Sequence, residues 1–457
     1  MQFFRLFMPL ISALLAVLCF APTVWAFCGF YVAKADTKLY NQASQVILAR
    51  DGNRTVLTMA NDFQGDVKDF AVVIPVPTVL QKEQVHVAQP KIIERLDAFS
   101  APRLVEYFDS DPCSQNNIME SMPAPQALGR MRGAENTMKK DSNLGVTVEA
   151  KFNVGEYDIV ILSAKESGGL EIWLNRNGYK IPKGAKELLK PYIRSSMKFF
   201  VAKVNLDKFT ESGYQFLRPL QISYESLKFM LPIRLGMINA TTEQDLIVYI
   251  LSPQGQAEIT NYRTVKVPSD VNIPVFVKNE FGDFYKSMFQ TSYTKEDKKV
   301  GFLEYAWDMS SCDPCSAEPL NNEELKQAGV FWLDNNSSDR PVSRRFRSRF
   351  PSSSVFITRL HVRYTRNKFP EDLMFQITSQ RDFFQGRYIL QHPFTGNLEC
   401  NAGRQYKSSL NQRFEKEART LARLTNWNIQ NIRQKMQLSV GNLSTPWWDN
   451  FLVWFGL

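Results

Sequence analysis

The segment SQVILARDGNRTVLTMAN, residues 44–61, sets the reading of the fold. Two runs rich in apolar and β-branched residues, SQVILAR (44–50) and TVLTMAN (55–61), flank Asp51-Gly52-Asn53. A polar, Gly-containing turn between two such runs is a β-hairpin signal. FAVVIPVP (70–77) follows as a short apolar run closed by prolines and reads as a buried strand. Next outward, PKIIERLDAFSAPRLVEYF (90–108) has apolar residues at helical spacing interrupted by Pro102, which predicts two short helices.

The same reasoning divides the rest of the chain. Residues 27–113 form an N-terminal strand-rich block, and 114–143, polar with little periodicity, read as an exposed loop or linker. A small α+β block (144–210) has strands at 146–153 and 157–164, helices at LEIWLNRNG and AKELLKPYI, and a strand at KFFVAKVNL. Residues 211–403 return to strands, among them LPIRLGMIN, DLIVYILS, NYRTVKVP, SVFITRLHVRYT and RYILQH. From 404 to 457 the chain changes character: Tyr406, Leu410, Phe414, Ala418 and Leu421 share one face of an amphipathic helix, and an aromatic tail follows. The predicted class is therefore α+β, a strand-rich multi-domain protein with a C-terminal amphipathic helix.

Residues 1–26 carry Arg5, an apolar run from Leu6 to Phe20, Pro22 and the small-residue exit Val24-Trp25-Ala26, the pattern of a cleaved signal peptide. The expectation is an exported protein, periplasmic or extracellular, whose mature chain begins Phe27-Cys28. Leu18 before Cys19 and Phe27 before Cys28 are too large for lipid attachment. At 44% hydrophobic, 12% aromatic and 22% charged residues the chain is of ordinary globular composition. Its net charge of +9 does not by itself imply nucleic acid, which is not the expected partner of an exported protein; lipid headgroups, polysaccharides or acidic proteins fit better.

Beyond the signal, cysteines stand at 28, 113, 312, 315 and 400. In an oxidising compartment the first expectation is structural disulfides among Cys28, Cys113, Cys312, Cys315 and Cys400. A Cys28–Cys113 bridge would tie down the mature N-terminus, but spacing does not choose the pairing. The alternative is a thiol-disulfide oxidoreductase at Cys312-Asp313-Pro314-Cys315. Against it, the best helix start lies later, at the capping box Asn321 to Glu324, and Asp313 raises rather than lowers thiol pKa values. No second Cys or His pair completes a zinc site, since His86, His361 and His392 stand alone. Hydrolase and nucleotide motifs of the G-x-S-x-G, H-E-x-x-H and P-loop types are missing as well. No cofactor or metal is expected, and no catalytic residue is assigned beyond the Cys312 and Cys315 alternative.

Four long phrases resemble a known family. CGFYVAKADTKLYNQASQVILARDGNRTVLTMANDFQGDVKDFAVVIPVPTVL (28–80), YFDSDPC (107–113), YAWDMSSCDPCSAEPL (305–320) and RLHVRYTRNKFPEDLMFQ (359–376) are similar to bacterial secreted proteins grouped as domain of unknown function (DUF) 2330. The resemblance runs from about Cys28 to about Cys400. It implies an exported bacterial protein with cysteines at these places, and it carries no assigned activity or catalytic residue.

Two features remain. Residues 340–370 hold Arg344, Arg345, Arg347, Arg359 and Arg363 without one acid, and alternation in SVFITRLHVRYT places Arg359, His361 and Arg363 on one strand face. That face is either an anion-binding surface or a solvated one paired by acids such as Glu371 and Asp372. The tail STPWWDNFLVWFGL, with Trp447, Trp448, Phe451 and Trp454, is too short to span a bilayer. It can lie at a membrane interface or dock into the protein. The functional expectation is an envelope protein that binds or builds rather than catalyses, with its partner open.

Overall fold

The computed structural model describes residues 30–33, 40–41, 43–60, 63–64, 70–114, 146–177, 184–213, 217–238, 243–312, 317–333 and 355–441. The chain is α+β. Its hairpin is formed as the sequence predicts, by β3 (Ala43–Asp51) and β4 (Arg54–Ala60) paired antiparallel around Gly52, which sits at φ 54°. A turn with positive φ is where glycine costs least.

That hairpin lies inside a nine-stranded sheet. Its order is β16 (Arg263–Lys266), β18 (Val300–Asp308), β19 (Phe356–Tyr364), β14 (Gln244–Ser252), β3, β4, β12 (Leu220–Glu225) and β7 (Val85–Val87). The short β21 (Phe384–Gln385) pairs with β18 beside this path. A second, antiparallel sheet runs β1 (Phe30–Ala33), β6 (Phe70–Val76), β11 (Lys198–Val204), β10 (Tyr157–Ala164) and β9 (Val146–Val154). Three small sheets complete the set: β13 (Met230–Leu231), β20 (Leu373–Ile377) and β15 (Ala257–Ile259); β17 (Val271–Asn272), β22 (Arg387–His392) and β8 (Arg103–Phe108); and the pair β2 (Tyr40–Asn41) and β5 (Phe63–Gln64).

Strand alternation explains the layering. On β3, Val46 and Leu48 enter one apolar cluster with Val72, Ile74, Ile159 and Phe200 of the five-stranded sheet, so the two large sheets face each other. Ile47 and Ala49 point the other way, against Ile92, Leu96 and Phe99 of helix α1 (Lys91–Ser100). The outer face of the five-stranded sheet is covered by α2 (Ser167–Arg176) and α3 (Ala185–Arg194) through Leu170, Leu174, Leu189 and Tyr192. A strand buried on both faces must be apolar where it is covered, as β3 is over Val46–Ala49. Beyond these lie the short α4 (Leu206–Ser212), α5 (Phe281–Lys295), α6 (Asn322–Gln327), α7 (Asn401–Thr425) and α8 (Ile429–Gly441). The capping box read at Asn321 and Glu324 is formed and opens α6.

Three expectations are corrected. The second helix predicted after Pro102 is a strand, β8, because Arg103–Phe108 joins a parallel ladder with β22. LPIRLGMIN is not one strand: Pro232 ends β13, and a 3-10 turn follows at Leu235–Ile238. Nor do the blocks 27–113, 144–210 and 211–403 form separate units. The five-stranded sheet joins β6 of the first to β9–β11 of the second, and the nine-stranded sheet pairs β3 in parallel with β14 of the third. The expected linker at 114–143 lies outside the described residues except for Ser114.

Candidate ligand-binding cleft

Strand β19 is the place to begin, because it carries two of the predicted anion-binding residues. It is an inner strand, hydrogen-bonded to β14 on one side and β18 on the other. Its Arg359, His361 and Arg363 do alternate onto one face, but that face is covered. α5 lies across it, stacking Phe289 on the His361 imidazole at 3.9 Å between centroids. The charges are neutralised internally. Arg359 donates through Nε to Glu304 Oε2 (2.6 Å) and through Nη1 to Asp97 Oδ1 (2.7 Å). Arg363 forms a two-pronged pair with Asp245, both contacts at 2.8 Å, and reaches Gln290 on α5. His361 sits between carboxylates, with Nδ1 2.8 Å from Glu304 and Nε2 3.0 Å from Asp245.

Glu304 is fixed there by a bulge. The β18–β19 register shifts between Leu303 and Tyr305, leaving Glu304 as the extra residue and turning both Glu304 and Tyr305 toward the helices. It also accepts from the Tyr285 hydroxyl. Burial alone would lower the His361 pKa, but Glu304 and Asp245 outweigh it and raise it. Burial would likewise raise the pKa values of Glu304 and Asp245, and their cationic neighbours instead lower both. Three cations thus face three anions, Asp97, Asp245 and Glu304, in one satisfied network. Its chemistry is cohesion. Arg359 and Arg363 are not an outer basic face, and their partners are not Glu371 and Asp372.

Asp372 instead organises a cleft of about 400 Å³. This carboxylate, 3% exposed, accepts from the Tyr192 hydroxyl (2.7 Å), from the backbone N–H groups of Ile233 and Arg234 (3.0 and 3.1 Å), and from Arg234 Nε (3.2 Å). Tyr192 comes from α3, Arg234 from the segment after β13, and Asp372 from just before β20, so three separate elements converge. The lining combines apolar side chains, Pro75, Pro77, Pro191, Met197, Met230 and Met374, with the polar Ser195, Ser226, Lys228, Asn261 and Glu371. Arg234 stands at the polar end with its Nε held. Neither of its Nη nitrogens has an acceptor among the described residues, and its side chain is 21% exposed. A hollow that sets proline and methionine side chains beside an oriented guanidinium is a ligand site by composition. Sequence reasoning missed Arg234 and Tyr192. The available signal was Pro232, which ends a strand just before an arginine, but no spacing linked it to Asp372, 138 residues away.

The other predicted site residues are spread apart. Cys113 and Cys400 form a disulfide, with Cα atoms 5.9 Å apart, which excludes a Cys28–Cys113 bridge. Cys400 N-caps α7, its sulfur accepting from Gly403 N–H at 3.1 Å. Cys312, packed beside the α1-facing cluster, is also disulfide-bonded. Cys28, Cys315, Arg344, Arg345, Arg347, Trp447, Trp448, Phe451 and Trp454 lie outside the described residues. Among the described residues no three His, Cys, Asp or Glu side chains converge as a metal site, and no helix is long and apolar enough to cross a membrane. Non-reducing peptide mapping should recover Cys113 and Cys400 in one linked fragment. Their recovery in separate fragments would contradict the pairing.

Comparison with known proteins gives one match. The profile of a family described as an uncharacterised protein conserved in bacteria (DUF2330) covers residues 22–376. No curated protein and no solved structure matches the chain.

Proposed function

The chain belongs to the bacterial family DUF2330, and from that premise we propose an exported, non-catalytic binding protein whose cleft takes a ligand with an apolar body and an anionic head. The observation that carries this reading is Arg234. Asp372 and the Tyr192 ring, 5.7 Å from its guanidinium carbon, orient it, while both Nη nitrogens are left for a ligand. A guanidinium fixed by its Nε presents a preformed fork to carboxylate or phosphate oxygens. Proline and methionine walls suit an apolar chain without demanding a particular shape. Export is supported by the N-terminal pattern ending at Ala26 and by the Cys113–Cys400 bridge, since stable disulfides belong to oxidising compartments.

The rival reading, an oxidoreductase at Cys312 and Cys315, gains no support from the surroundings of Cys312, which packs beside an apolar cluster. The test of the binding reading is calorimetric titration with octanoate. Saturable binding is expected in the natural protein, weakened about 30-fold in Arg234→Gln, the equivalent of about 2 kcal/mol for a charged hydrogen bond. Asp372 keeps Tyr192 and two backbone donors in that variant, so the fold should persist. Equal affinity in the two proteins would reject the reading.

A further inference from the structure

Arg234 borders two hollows. Besides the proline-lined cleft it lines a second one, of about 380 Å³, together with Leu188, Met237, Arg366, Asn367 and Phe369. Arg366 stands in the turn that follows β19, where Phe369 N–H closes on Thr365 O at 2.9 Å. Phe369 itself is buried against Tyr262, which anchors this turn. Neither Arg366 nor the Nη nitrogens of Arg234 meet an acceptor among the described residues, and the lining of this second hollow contains no carboxylate. Asp372 does not serve it: both of its oxygens are engaged by Tyr192, Ile233 N–H and Arg234.

We infer that the anionic head of the ligand is a phosphate, seated between Arg234 and Arg366, while the apolar chain lies along the prolines and methionines of the cleft. This rests on the binding reading above and sharpens it. A carboxylate carries one negative charge, which one arginine fork matches. A second guanidinium gains more from a head with a third acceptor oxygen and a charge near −2, as a phosphate monoester has. Because the lining of this hollow contains no carboxylate, an anion between the two guanidiniums meets no like charge there.

The purified protein would be titrated with octyl phosphate, octanoate and inorganic phosphate. Octyl phosphate is expected to bind about tenfold more tightly than octanoate, the gain from one further charge-assisted contact. Arg366→Ala should abolish that preference, weakening octyl phosphate about tenfold while changing octanoate less than about twofold. Arg234→Gln should weaken both amphiphiles. A phosphate preference that survives Arg366→Ala, or no preference in the natural protein, overturns the inference and leaves the binding reading standing. Failure of both amphiphiles to bind, or indifference to Arg234→Gln, overturns the binding reading and this inference with it. Inorganic phosphate binding as tightly as octyl phosphate would also overturn the inference, because the apolar body would then contribute nothing.

Discussion

Glu304→Leu is expected to lower the unfolding free energy by about 3–5 kcal/mol, the usual cost of stripping one partner from a buried ion pair. The side chain is 1% exposed and is the shared acceptor of Arg359, His361 and Tyr285. Without it, Arg359 keeps Asp97 and His361 keeps Asp245, but two positive groups remain under α5 with one anion fewer. Charge, and not packing volume, should dominate the loss. Pairing the change with Arg359→Met should therefore recover most of it, because an apolar pair of similar volume removes the stranded charge. Urea unfolding of the single and double variants measures both quantities. A single variant within about 1 kcal/mol of the natural protein would mean that the network contributes little. The pH dependence has a definite sign. Glu304 and Asp245 have lowered pKa values in the fold, so their stabilisation is present above the unfolded carboxylate range and fades as acid is added below it. His361 is raised, so its contribution is whole below about 6.5 and is lost as the pH climbs through its folded value.

How much of this was legible in the sequence differs from residue to residue. The β3–β4 hairpin was readable because its turn and both strands are contiguous and follow local rules. The alternation of β19 is legible in its own residues, but its cover is not, because that cover comes from the distant helix 281–295. Its buried Phe284, Met288, Phe289 and Tyr293 are at helical spacing, so the signal existed. Glu304 was legible in the same sense: a carboxylate inside the apolar run VGFLEYAW needs a cation. What no local rule supplies is which cation, because the Arg359 partnership spans 55 residues and depends on a bulge in the β18–β19 register. The cleft is harder still. Tyr192, Arg234 and Asp372 meet only through the packing of α3 against the five-stranded sheet and the turn Leu235–Ile238, which strand periodicity does not encode. The parallel pairing of β3 with β14 explains why the block boundaries failed, since strands adjacent in a sheet need not be adjacent in the chain.

Glu417→Gln should have the opposite effect to the loss of Glu304, raising stability at pH 8 by about 3 kcal/mol. Glu417 lies on α7, 2% exposed, and its Oε1 has no hydrogen-bond donor among the described residues. Arg413, one turn earlier, approaches with Nε at 3.6 Å, but Arg413 Nη1 is committed to Asp109 at 2.6 Å. Asp109 also accepts from Gln391 on β22 and from the Tyr406 hydroxyl, so the groups facing Glu417 are one guanidinium already shared and one second carboxylate. Burial therefore pushes the Glu417 pKa up to about 7, against the pull of Arg413 and with the help of Asp109. A carboxyl raised in the fold favours folding when protonated. Its contribution is complete below the ordinary glutamate value near 4.5 and is lost as the pH rises through about 7. Two and a half pKa units correspond to about 3 kcal/mol. Glutamine has the shape of the neutral acid and does not titrate, so the variant should match the natural protein near pH 4.5 and exceed it at pH 8. Chemical denaturation at the two pH values separates this from a general packing effect, which would shift both alike. A variant that gains nothing at pH 8 would show that Glu417 is ionised in the fold without penalty, with Arg413 as a full partner, and that the Asp109 site holds α7 by charge across the neutral range.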